Sequence, residues 1–118
     1  MRKYDIWLAD LDPSFGTEAG KTRPVVIVQT DMLNGHHPST IVCPITSKPS
    51  PKAKILRIAL NIGEGNLDKN SNILVDQIRT IDKQRLTIKY GEIVDTLKQE
   101  ETIEALCFQI GIDTFPFR

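Results

Sequence analysis

Residues 23–29 read Arg23-Pro24-Val25-Val26-Ile27-Val28-Gln29, and this stretch decides the fold class. β-Branched side chains lose χ1 freedom in a helix and pack well on a pleated surface, so the run predicts a strand over residues 24–29. Upstream, Tyr4, Ile6 and Leu8 alternate with more polar neighbours and stop at Asp10-Leu11-Asp12-Pro13, which predicts a first strand over about residues 4–9. Between the two, residues 12–22 carry Pro13, Gly16 and Gly20 with few apolar side chains, a long loop. Downstream, the turn chemistry of Asn34-Gly35-His36-His37-Pro38-Ser39 precedes a third strand over residues 40–46. Pro44 within it cannot donate to a ladder and is expected at an edge or bulge. Pro49-Ser50-Pro51 then breaks the chain.

Ile55, Leu56, Ile58 and Leu60 predict a fourth strand, residues 72–78 a fifth after a Gly- and Asn-rich loop, and Leu86, Ile88 and Tyr90 alternate briefly before Gly91. Only near the end does the period change. Ile103, Leu106, Cys107 and Ile110 stand at i, i+3, i+4 and i+7, the apolar face of a helix, with Thr96 and Gln99 spaced as a capping box, Glu100 and Glu101 at its positive end and Gly111 as its stop. Parallel pairing needs crossover helices that this sequence does not supply. The expected class is therefore mainly β (α+β): a small, curved antiparallel sheet or barrel with one C-terminal helix.

With 118 residues, 40% hydrophobic and 25% charged, the chain is expected to form one domain over residues 1–118. Two cysteines, Cys43 and Cys107, exclude a disulfide scaffold, and core packing is the role expected of both. The longest apolar run falls far short of the ~18 residues a membrane span needs, and Met1-Arg2-Lys3-Tyr4-Asp5 does not open a signal peptide, so a cytoplasmic protein without membrane contact is expected. Fifteen Lys and Arg balance fifteen Asp and Glu. The balance hides an uneven distribution: no acid stands between Asp31 and Glu64, where Lys48, Lys52, Lys54 and Arg57 fall, whereas five acids accompany Lys98 from Glu92 to Glu104. A solvated face is one reading of such a run and a phosphate-attracting surface the other.

Gly16-Thr17-Glu18-Ala19-Gly20-Lys21-Thr22 resembles a phosphate-cradling loop but is one residue short, and Arg23-Pro24 leads into a strand rather than the helix that loop requires. Its glycines let backbone approach a ligand closely, and Arg23 at the root of a strand is a structural ion pair or an anion contact. Thr46-Ser47-Lys48 offers two hydroxyls beside a cation, which suits phosphate oxygens or a turn that ends the strand. In Asp76-Gln77-Ile78-Arg79-Thr80-Ile81-Asp82, Arg79 is expected to pair with Asp76 or Asp82. His36-His37 has no Cys or carboxylate at ligand spacing, so no metal is expected.

Taken together and in order, Tyr4 through Pro13, Gly16 through Val28, Pro44-Ile45-Thr46-Ser47 and the block from Asp76 to Leu86 resemble the MazF/PemK family across residues 4 to about 86. The resemblance implies an SH3-like barrel with helices, acting as the toxin of a bacterial toxin–antitoxin pair. It further implies a homodimer with a cognate antitoxin as partner. The implied activity is cleavage of single-stranded RNA at short sequences, without metal or cofactor, through 2′-hydroxyl attack to 2′,3′-cyclic phosphate and 5′-hydroxyl ends. Residue by residue, Arg23 matches the family's catalytic arginine, Thr46 its catalytic threonine and Glu18 a loop acid that affects activity. Phe15, Thr17, Lys21, Ser47, Lys48, Lys54, Asp76 and Gln77 are then the expected RNA contacts. Asp76 matches a fifth-strand acid of some members, but Leu74 stands where their arginine would be. Two other classes fit the same architecture: a gyrase poison acting through a Trp-containing tail, against which the ending Thr114-Phe115-Pro116-Phe117-Arg118 carries no Trp, and a plain SH3-like interaction module.

Overall fold

The β-branched run becomes the most deeply buried part of a computed structural model that describes residues 1–48 and 56–112. Val25 and Ile27 point into a core with Ala9, Leu11, Val42 and Ile81, while Val26 and Val28 point the other way to meet Ile6, Cys43, Ile45, Ile73 and Ala105. Burial on both faces explains why the run is continuous rather than alternating. The expected strand start at Ile55, the break at Pro49-Ser50-Pro51, the cations Lys52 and Lys54 and the tail Thr114-Phe115-Pro116-Phe117-Arg118 lie outside the described residues.

Seven strands are described: β1 (Asp5–Asp10), β2 (Thr22–Ile27), β3 (Ser39–Thr46), β4 (Arg57–Leu60), β5 (Ser71–Leu74), β6 (Arg79–Asp82) and β7 (Leu86–Glu92). All their pairings are antiparallel, in the order β4-β5-β3-β2-β1-β7 with β6 also on β3. The expected antiparallel sheet is present, but it stays open between β4 and β7 rather than closing into a barrel. Gly91 of β7 lies opposite Ile6, and a Cβ there would come within 2.8 Å of the Gly65 carbonyl oxygen, so the covering loop needs that glycine to sit close.

Within the sheet, three expectations are corrected. The strand expected over residues 72–78 divides into β5, a 3-10 turn over Val75–Gln77 and then β6, because the chain leaves one partner region of β3 for another. Pro44 is neither on an edge strand nor at a bulge in its pairing with β2. It opposes Val25 in mid-sheet, at the gap where β3 has released β6 after Val42 and takes up β5 at Ile45, so a missing donor breaks no ladder on that side. Arg79 does not pair with Asp76 or Asp82; it donates to the Leu11 carbonyl at 3.2 Å, and Asp76 pairs with Arg57.

The C-terminal helix, α2 (Thr96–Gln109), is present, with its cap one residue earlier than the capping box predicts. The Asp95 carboxylate accepts from the Leu97 amide at 2.9 Å, and Gln99 donates instead to the Ile93 carbonyl. Thr102 and Ala105 are its buried residues, small enough to let the helix lie close to the sheet, whereas Ile103, Leu106 and Cys107 are half-buried and Ile110 is exposed. Cys107 is therefore not a core residue as expected, though Cys43 is. A short helix not foreseen from the sequence, α1 (Asp31–Asn34), follows β2, capped by the Thr30 hydroxyl. Its Asn34 side chain is buried and bonds Gln29 twice and the Thr40 hydroxyl once, fixing the β2–β3 connection.

Burial pushes the Cys43 thiol up to about 12, with nearby Asp76 acting in the same direction. The thiol is thus neutral and inert in the folded protein, and its contribution to stability is complete below its ordinary value of 9.0 and lost as pH rises from there towards 12. Iodoacetamide at pH 8 should therefore modify Cys107 long before Cys43 in the native protein, with both reacting in urea; peptide mass spectrometry reads the order, and fast native labelling of Cys43 would refute its burial.

Candidate active site

The pairing of β2 with β3 runs Val25 to Pro44, Val26 to Cys43 and Ile27 to Val42. That ladder ends two residues short of Arg23 on β2 and of Thr46 on β3, where Arg23 faces Ala9 of β1 and Thr46 faces Asn72 of β5. Both side chains line one cleft of ≈ 380 Å³, walled by the start of β2, the end of β3, the loop before β5 and Tyr90 of β7.

The bonding of each side chain determines what it can still offer. The Arg23 Nε donates to the Gly20 carbonyl at 2.9 Å, and no carboxylate pairs with the guanidinium among the described residues, so its two Nη groups remain as donors into the cleft. Of the two readings of Arg23, a structural ion pair is thereby excluded among the described residues. Thr46 Oγ accepts from the Lys48 amide at 3.1 Å, the turn that ends the strand, and this occupies a lone pair while leaving the hydroxyl hydrogen free. Lys21, Arg23, Lys48 and Lys69 line the cleft against one carboxylate, Asp68, with Ser47 and Ser71 as further hydroxyls. Such a wall suits an anion with several oxygens.

Of the residues singled out in the sequence, the structure brings Arg23, Thr46, Lys21, Ser47 and Lys48 together. Phe15, Thr17 and Glu18 stand on the β1–β2 loop, outside the cleft lining. Phe15 is 79% exposed, and the Glu18 carboxylate accepts from the Phe15 amide at 2.8 Å, shaping the loop tip. Asp76 sits beside Arg57 at 3.4 Å with its second oxygen buried and unbonded, and Gln77 bonds the loop backbone; neither lines the cleft. Lys54 lies outside the described residues. Sequence reasoning missed Asp68, Lys69, Ser71 and Tyr90 as members of this site. The only local signal was the polar loop itself, since its position depends on β5 docking against the end of β3. Among the described residues no group of three or more His, Cys, Asp or Glu side chains gathers as metal ligands, and no helix is long and apolar enough to cross a membrane.

A family profile described as the PemK-like, MazF-like toxin of type II toxin–antitoxin systems matches residues 2–110. This chain belongs to that family. A curated relative, the endoribonuclease MazF of Staphylococcus saprophyticus, is 43% identical over 115 residues, spanning 97% of this chain and 94% of the relative. Among solved structures, MazF from Deinococcus radiodurans superposes with a TM-score of 0.82 at 21% identity, covering 95% of this chain and 97% of that one. An endoribonuclease from a mycobacterial species, in complex with its cognate antitoxin, gives a TM-score of 0.78 at 17% identity over 98% and 99% of the two chains. At these identities the two structures establish the shared fold.

The four cations suit the cleft of this MazF-like chain to a polyanion, and affinity for a single-stranded oligonucleotide is then expected to fall with salt. Each phosphate contact contributes roughly 0.7 to the slope of log K against log[salt]. Lys48→Ala and Lys69→Ala should each flatten the slope by about that much, whereas Lys98→Ala, away from the cleft on α2, should not. Fluorescence anisotropy across a salt series measures it, and an unchanged slope in Lys69→Ala would remove that residue from the ligand's path.

Proposed function

We propose that this toxin-family endoribonuclease cuts single-stranded RNA by using the RNA's own 2′-hydroxyl as nucleophile, with Arg23 and Thr46 gripping the scissile phosphate. The observation that carries the reading is the convergence of two unoccupied donor sets, the Arg23 Nη groups and the Thr46 hydroxyl, on one cationic cleft. In the reaction the 2′-oxygen attacks phosphorus, its proton leaves to a base, the P–O5′ bond breaks and the 5′-oxygen takes a proton. The products are a 2′,3′-cyclic phosphate and a 5′-hydroxyl. No external water enters and no metal is required by the balance of atoms.

Arg23 meets the charge that develops on the non-bridging oxygens, and its planar fork can address two of them at once. Thr46 donates to one of the same oxygens. Because a guanidinium does not give up its proton, Arg23 serves as charge stabiliser and hydrogen-bond donor, and the proton transfers at the 2′- and 5′-oxygens fall to other groups. Glu18 affects the reaction through the loop, whose tip its carboxylate folds. Lys21, Ser47, Lys48 and Lys69 track flanking phosphates, and exposed Phe15 offers a ring for a splayed base.

We extend the reading to partners. The apolar positions of α2 and the residues after it that the core leaves exposed, Leu97, Phe108, Ile110 and Ile112, suit an identical subunit, and the cationic cleft suits an acidic antitoxin segment that excludes RNA. Light scattering should give a dimer mass, reduced towards a monomer in Phe108→Asp/Ile110→Asp; a wild-type monomer at micromolar concentration would overturn the dimer. The chemical reading predicts cleavage in EDTA, loss of cleavage when the scissile nucleotide is 2′-deoxy, and a fall of at least about a hundredfold in Arg23→Ala, about 3 kcal/mol of lost transition-state stabilisation. Cleavage of an all-deoxy strand, read by gel with mapping of the 5′ ends, would sink it.

A further inference from the structure

The connection from β1 to β2 is tied down at both ends of its length but by different means. At its root, Arg79 donates to the Leu11 carbonyl and Arg85 to those of Asp10 and Asp12, while the Asp12 carboxylate accepts from the Lys21 amide at 2.7 Å. At its tip, residues 15–19 bond to the rest of the described chain through one side chain. Gln77 accepts from the Ala19 amide with Oε1 at 3.2 Å and donates from Nε2 to the Thr17 carbonyl at 3.1 Å. The amide group is suited to this place because it presents an acceptor and a donor side by side.

The residue after Ala19 links this latch to the cleft. Gly20 is buried, and its carbonyl is the acceptor that fixes Arg23 Nε. A Cβ on Gly20 would meet the Ser14 hydroxyl at 2.3 Å and the Asp12 carboxylate at 2.7 Å, so this carbonyl has little room to settle elsewhere while the loop is closed. Gln77 itself is rigidly based. It ends the 3-10 turn over Val75–Gln77, with Val75 fully buried behind it and Asp76 held by Arg57. A continuous chain of contacts therefore runs from the core through Gln77, the backbone of Thr17 and Ala19 and the Gly20 carbonyl to the guanidinium.

We propose that Gln77 is a positioning residue for cleavage: it latches the β1–β2 loop from outside the cleft and thereby sets the direction of Arg23. The proposal rests on the ribonuclease reading above and reassigns Gln77 from RNA contact to loop latch. It acts through Arg23, because a donor fork that wanders by about 1 Å can cost a hundredfold in rate while ground-state binding is hardly touched.

The test compares Gln77→Ala and Gln77→Glu with the native enzyme. The glutamate keeps the acceptor for Ala19 but turns an oxygen towards the Thr17 carbonyl, so it should not rescue, although it matches glutamine in size. The expected result is a tenfold to hundredfold fall in single-turnover cleavage, with the Kd for the uncleavable 2′-deoxy oligonucleotide within about threefold of native and the cut sites unchanged. In an Arg23→Ala background the same substitutions should cost nothing more. Weaker binding with altered cut sites would instead make Gln77 a base reader and overturn the latch, as would an additive loss in the Arg23→Ala background. Amide exchange at Ala19 gives a readout free of catalysis. Its protection should drop in both variants while Tm moves little, and unchanged protection defeats the proposal even if native protein cuts no RNA, an outcome that would sink only the ribonuclease reading.

Discussion

The backbone ladder between β2 and β3 is the constraint from which the site follows. Antiparallel register is set by which carbonyl meets which amide, and slipping it by one residue would turn every side chain to the opposite face. Here such a slip would exchange Val25 and Ile27 with Val26 and Val28 between the two cores, so what holds the pairing is the fit of each side chain among its own neighbours. The pairing ends just before the cleft, and the strand ends it leaves there carry Arg23 and Thr46, both of which line it. The buried Asn34 cluster adds a second restraint at the far end of the same hairpin.

Charge works on this frame locally. The chain as a whole is neutral at pH 7, so long-range attraction to a polyanion is weak and the field that matters is that of the cleft. Four cations around one concavity act within a Debye length of about 8 Å at physiological salt. The acids that balance them are placed elsewhere: Glu92, Asp95, Glu100 and Glu101 belong to the end of β7 and the start of α2, and none of them lines the cleft. A protein neutral overall thus concentrates its positive potential at one concavity.

Much of the architecture was legible because burial writes itself into composition. The β-branched run marked β2, and Tyr4, Ile6 and Leu8 marked β1, since pattern and environment agree there. The turn at Val75–Gln77 was hidden because its apolar and polar residues continue the alternation of β5, and only the switch of β3 partners demands the break. The helix face was read only in part: large apolar side chains at helical spacing suggest a core, whereas Thr102 and Ala105 are the buried ones, Leu106 packs half-buried against the core and Ile110 is exposed. Arg23 and Thr46 could be named from the family resemblance together with their places at strand ends. Lys69, Ser71 and Tyr90 could not, as they reach the cleft only through pairings more than twenty residues away in the chain. Gln77 bonds a residue sixty positions earlier, a separation at which local pattern carries no information.

The backbone of the β1–β2 loop is held at its root and, through Glu18 and Gln77, at its tip, while the tip leaves one large side chain unpacked. Gly16 has open space around it, and the Phe15 ring projects into solvent. Exchanging the Phe15 ring leaves both anchorages in place, because the root is gripped by two arginines and the tip by an amide, whereas Gly16 is kept by its positive φ of 55°. What the loop presents to solvent can therefore change at position 15 while the backbone leading to Arg23 keeps its path.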